Sequence, residues 1–161
     1  MKIEKTVWAL FLTILLLSSS VLAQEKYPRY LVAAIDDANV RTDSTINSEI
    51  IIKLNKGDVV VTTKDFYDWY KIVLPKYAAC YVSARYISAA SEKSGTANSD
   101  NVNIRLRPDT KSPILGKLKQ GEPVNIINFS NDWYAIEPTE NTYGWIHKSV
   151  VRPAENTNRL N

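Results

Sequence analysis

Sliding this sequence along itself by 64 residues superposes Asn39-Val40-Arg41 on Asn103-Ile104-Arg105, Lys53-Leu54 on Lys117-Leu118, and Gly57 on Gly121. Without a gap, the same displacement brings Asp68-Trp69-Tyr70 onto Asp132-Trp133-Tyr134, Ile72 onto Ile136, and Tyr81-Val82 onto Trp145-Ile146. Thirteen of the 53 positions from 36 to 88 are identical to their counterparts, so the chain carries an internal duplication. Its 161 residues therefore divide into two small units rather than one domain.

Each unit reads as β. Val, Ile and nine Tyr alternate with clustered Asn, Asp, Ser and Thr, which favours strands joined by polar turns. Ile50-Ile51-Ile52 and Val59-Val60-Val61 flank the turn Asn55-Lys56-Gly57-Asp58, and the second unit repeats that turn around Gly121. Tyr70, Ile72 and Leu74 share one side of a strand and form the expected core face, with Trp69, Lys71 and Val73 on the other. Residues 29–35 open the first unit, whereas the matching part of the second is weakly apolar and a poor strand. The polar stretch 89–99 marks the junction, and part of it must also open the second unit. The expectation is a mainly β protein of two tandem small β-barrels, one over residues 28–90 and one over 95–152, followed by a polar tail at 153–161.

Residues 1–23 read as a signal peptide, with Lys2 and Lys5 at its start, an apolar run over 7–17 and a small-residue cleavage site ending at Ala23. A bilayer-spanning helix needs about 20 residues, so cleavage is favoured over an uncleaved anchor and no stable transmembrane span is expected in the mature chain. No Cys stands near the cleavage site, which disfavours lipidation. The expected location is the periplasm or outside the cell. The mature chain carries 18 basic against 16 acidic side chains, interspersed, which argues against a nucleic-acid partner. The single Cys80 cannot form an internal disulfide, so each barrel must hold by packing alone.

The landmarks resemble bacterial SH3-like (SH3b) domains. In the second copy these are Val102-Asn103-Ile104-Arg105 before Arg107-Pro108, then Leu118-Lys119-Gln120-Gly121, Asp132-Trp133-Tyr134-Ala135-Ile136 and Gly144-Trp145-Ile146. The first copy has Ala38-Asn39-Val40-Arg41, Leu54-Asn55-Lys56-Gly57 and Asp68-Trp69-Tyr70-Lys71-Ile72. It diverges at Cys80-Tyr81-Val82, where Gly-Trp-Val is expected. The resemblance implies SH3-like barrels used as exported recognition modules, often for the peptide parts of peptidoglycan. Fold alone does not fix the partner. A periplasmic protein–protein adaptor with no wall ligand is the alternative, and no oligomeric state follows from the residues.

No catalytic constellation is expected. Cys80 and His147 could form a nucleophile and base, but Cys80 is in phase with Val82 and points to the core, where a free Cys packs as a small hydrophobe. One His and one Cys do not make a zinc set, and no cofactor is implied. Asp36-Asp37, Asp65 and Asp68 sit in turns, where carboxylates bond backbone amides. The aromatics carry the functional expectation: Trp69 and Trp133 lie out of phase with the apolar face and suit an extended peptide. The candidate ligand groove comprises Asp68, Trp69 and Tyr81 in the first copy and Asn131, Trp133, Tyr143 and Trp145 in the second. Packing under a loop is the competing account of these rings.

Overall fold

The computed structural model describes Tyr27 and residues 29–154; the leader expected at 1–23 and positions 155–161 of the tail lie outside the described residues. Fourteen strands form among them: β1 (Arg29–Ala33), β2 (Ala38–Arg41), β3 (Ile50–Leu54), β4 (Val59–Phe66), β5 (Trp69–Val73), β6 (Cys80–Ser83), β7 (Ile87–Ser91), β8 (Ser94–Ala97), β9 (Val102–Arg105), β10 (Ile114–Leu118), β11 (Pro123–Ser130), β12 (Trp133–Ile136), β13 (Tyr143–His147) and β14 (Val151–Pro153). Single 3-10 turns, Ala84–Tyr86 and Lys148–Val150, join β6 to β7 and β13 to β14. The described residues are mainly β, in two seven-stranded sheets. Pro153 belongs to β14 rather than to a free tail, and the weakly apolar start of the second unit is a strand, β8.

The sheets do not follow the repeats. The first runs β14-β1-β4-β5-β13-β2-β3 and the second β10-β9-β6-β12-β11-β8-β7. Each repeat gives its Cys80-Tyr81-Val82 or Gly144-Trp145-Ile146 strand, and the short strand after it, to the sheet of the other repeat. The registers are equivalent: Tyr70 faces Ile146 and Lys71 faces Trp145 in the first sheet, as Tyr134 faces Val82 and Ala135 faces Tyr81 in the second. The expected boundaries 28–90 and 95–152 therefore describe the duplication and not the folded units. In space, β6 through β12 form one continuous unit inserted between β5 and β13 of the other.

Local chemistry accounts for the common parts. Gly57 (φ 95°) and Gly121 (φ 80°) adopt the left-handed conformation that their turns require. Asp36 Oδ1 accepts from the Lys56 N–H at 2.9 Å and Asp100 Oδ1 from the Gln120 N–H at 2.9 Å, so these carboxylates fasten the turns. The arginine of each Asn-x-Arg motif braces the next loop: Arg41 Nη1 donates to the Ser48 carbonyl at 2.7 Å, and Arg105 Nη1 to that of Ser112 at 2.8 Å. Inward residues repeat in kind. Val40, Leu54, Val60, Ile72 and Ile146 are buried in the first sheet, and Ile104, Leu118, Val124, Ile136 and Val82 in the second. Full burial of each such side chain contributes about 1.5–3 kcal/mol.

Two non-repeating positions explain why the strands are exchanged. Leu31 in the first sheet is replaced by Gly95 in the second, and Val151 by the larger Ile87; a Cβ on Gly95 would meet Ile87 Cγ2 at 2.7 Å. Likewise Gly144 lies against Val40, Leu74 and Ile51, where an added Cβ would stand 2.5 Å from Val40 Cγ1. Folding each repeat on itself would set Ile87 against Leu31 and put Cys80 where Gly144 now fits, overfilling one core and leaving holes in the other. The exchanged pairing matches large with small at both places.

Candidate functional site

The exchange decides which aromatic side chains meet. In the second sheet, register places Asn128, Ala135, Tyr81 and Arg105 in one row across β11, β12, β6 and β9. The alternate residues Val82, Ile104 and Ile136 are fully buried, so this row lies on the outer face. Trp133, two residues from Ala135, shares that face and is half-buried. A hollow of about 290 Å³ is lined by Tyr81, Pro108, Asn128, Ser130, Asn131, Trp133 and Ala135. On the other flank of Trp133, a hollow of about 370 Å³ is bordered by Arg85, Tyr86, Asp100, Asn103, Arg105 and Asp132, among others. An indole with a recess on each side, amide groups at one end and both charges at the other can hold an extended polar chain.

Tyr81, Asn131 and Trp133 thus come together, although Tyr81 was expected with the first copy. Asn131 has a second reason to be there. With φ values of 48° and 63°, Asn131 and Asp132 form the two-residue β11–β12 turn, for which Asn and Asp are favoured. The other four candidates belong to the first sheet. Trp145 and Tyr143 arrive there on β13, away from Trp133. Trp69 is not an exposed anchor: it is 8% accessible, and its ring packs edge-on against His147 at 5.1 Å. The matching position over Trp133 is Ser83, which is too small to cover it. Asp68 is exposed at the β4–β5 turn, where its carbonyl accepts from the Lys148 N–H.

The first sheet's own row is Lys64, Lys71, Trp145 and Arg41, across β4, β5, β13 and β2. Phe66 lies 6.0 Å from Trp145, and Lys71 Nζ sits 4.2 Å above the Tyr143 ring. Burial, and then repulsion from Lys64, hold the Lys71 pKa below its ordinary value. Sequence reasoning missed this row because Trp145, which links Lys71 to Arg41, comes from the other repeat.

Cys80 is fully buried, with Sγ 3.7 Å from the Ala78 carbonyl oxygen, and burial pushes its thiol pKa up to about 12. It sits in the second sheet, whereas His147 sits in the first and caps the second 3-10 turn by accepting from the Ser149 N–H at 3.2 Å. Asp65 lies 2.5 Å from Lys148 Nζ and 3.9 Å from Arg29. No helix among the described residues is long and apolar enough to cross a membrane.

Residues 100–152 match the bacterial SH3 domain family. That match spans both sheets, since it contains β9–β12 of the second and β13 with most of β14 of the first. The chain is also similar to the putative N-acetylmuramoyl-L-alanine amidase YrvJ of Bacillus subtilis (strain 168), at 27% identity over 129 residues. The similarity covers 74% of this chain and 25% of that protein, so the chain spans about a quarter of that relative's length.

Proposed function

We propose that this chain, with a bacterial SH3 domain match over residues 100–152, is an exported, non-catalytic binding protein of the cell envelope. In this reading it recognises peptidoglycan peptides on the outer face of the second sheet. The observation that carries the reading is the open Trp133 indole, flanked by the Tyr81–Asn131 hollow and by the recess containing Arg105 and Asp132. Wall peptides carry carboxylates, amines and amides on an extended backbone, and this face offers a partner for each. The similar Bacillus subtilis protein is named as a putative N-acetylmuramoyl-L-alanine amidase, which supports a cell-wall context. Cys80 is a poor nucleophile, because burial disfavours its thiolate and leaves it no accessible surface.

Residues 24–161 should sediment saturably with purified insoluble peptidoglycan, and Trp133→Ala should lose that binding while keeping its melting transition. Equal binding by the variant would remove Trp133 from the site. No binding by the parent chain would favour the adaptor reading, in which the partner is an envelope protein.

A further inference from the structure

The geometry points to a second binding surface, on the outer face of the first sheet, that takes a linear polyanion along Lys64, Lys71, Trp145 and Arg41. Lys64 and Lys71 are directly opposite one another across β4 and β5. Like charges in that position destabilise a sheet, so folding alone gives no reason to place them there. Neither they nor Arg41 take part in an ion pair among the described residues. Nearby carboxylates are engaged elsewhere: Asp65 with Lys148 and Arg29, and Glu49 with Arg107.

Aromatic rings hold the ammonium groups in place. Lys71 stands over Tyr143, and Lys64 Nζ lies 5.8 Å from the Phe66 centroid. From Lys71 and Tyr143 the surface continues into a hollow of about 440 Å³ between the sheets, where Lys117 and Lys119 of the β10 side add two cations. No carboxylate lines that hollow; its remaining polar side chains are Asn101 and Asn141. The second sheet's equivalent row has Asn128 and Ala135 in place of the two lysines, so the cationic row is particular to the first sheet.

Cations spread along an open track suit a ligand with repeated oxyanions. Phosphate suits this row, because lysine ammoniums bind it as point charges with no bidentate geometry to satisfy, and one Arg41 nitrogen is already bound to Ser48. This surface is independent of the Trp133 face.

The test uses residues 24–161 with selectively labelled lysine side chains, titrated with long-chain polyphosphate and, separately, poly-L-glutamate. Polyphosphate should shift the Lys64 and Lys71 signals first and raise the depressed Lys71 pKa. Lys64→Gln combined with Lys71→Gln should weaken binding by about tenfold or more and flatten its salt dependence. The variant should melt close to the parent, since the repulsion it removes offsets the Tyr143 and Phe66 contacts it loses. Trp133→Ala should bind polyphosphate unchanged. Preference for poly-L-glutamate would reassign the ligand to a carboxylate polymer and overturn the phosphate assignment. Equal polyphosphate affinity in the double variant, or shifts spread evenly over all lysines, would overturn the surface itself.

Discussion

Gly95 and Ile87 share one space: a Cβ on the glycine would stand 2.7 Å from the isoleucine Cγ2 and 3.1 Å from the Ser88 carbonyl oxygen. Gly95→Ala should therefore destabilise the protein by about 1–3 kcal/mol, although alanine normally suits a strand better than glycine. Ile87→Ala, which removes that Cγ2, should cost less in the Gly95→Ala background than in the parent. A double-mutant cycle by chemical denaturation measures the coupling, and strict additivity would refute the shared space.

The nested arrangement makes residues 75–141 a unit that should fold alone, since they contain all seven strands of the second sheet. The first sheet should fold from residues 29–73 and 143–154 joined by an Asn-Gly turn, because Val73 and Tyr143 already face each other. Dispersed amide spectra and monomeric elution of both pieces are the expected results. A disordered 75–141 fragment would show that the two sheets fold only together.

Cys80 should be unreactive to thiol reagents in the native protein and modified only at the rate of unfolding. Its thiol is raised from an ordinary value near 9 to about 12. The folded state therefore keeps a proton that the unfolded state loses, and the contribution is fully present below about pH 9. It falls by about 1.4 kcal/mol per unit as pH rises from there towards 12. Cys80→Ala removes the titrating group, so the stability difference between parent and variant should narrow over that window and stay constant below it. A difference that is flat from pH 8 to 11 would contradict the burial.

Arg105→Ala should release the loop over 106–113 by removing the Arg105 bond to the Ser112 carbonyl. A loss of about 1–2 kcal/mol is expected in thermal melts. Wall binding should weaken as well, because Pro108 of that loop borders the Tyr81–Trp133 hollow. The matching Arg41→Ala should cost similar stability but leave wall binding intact.

Much of this was legible in the sequence. The duplication located the turns at Gly57 and Gly121, the Asn-x-Arg strands and the inward phase of Cys80 and Val82. The exchange was not legible, because strands related by a 64-residue shift present the same pattern to either sheet. Only the size matching of Leu31 with Val151, Gly95 with Ile87, and Gly144 with its neighbours separates the two pairings, and that requires knowing what each residue touches. Trp69 was misplaced for a related reason. Alternation put it correctly outside the apolar row, but the side chain that covers it, His147, comes from the other repeat. Where the lid in the second sheet is Ser83, the same alternation leaves Trp133 open.

The pairing of β1 with β14 sets how the molecule responds to tension. Leu31 faces Pro153 in an antiparallel ladder, so the two ends of the described chain leave from the same margin of the first sheet. A pull applied between them opens that ladder one bond pair at a time, like a zipper. The inserted second sheet carries none of the load until Val73 and Tyr143 part. A protein tethered at both ends would thus yield first through its cationic sheet, keeping the Trp133 face folded and engaged.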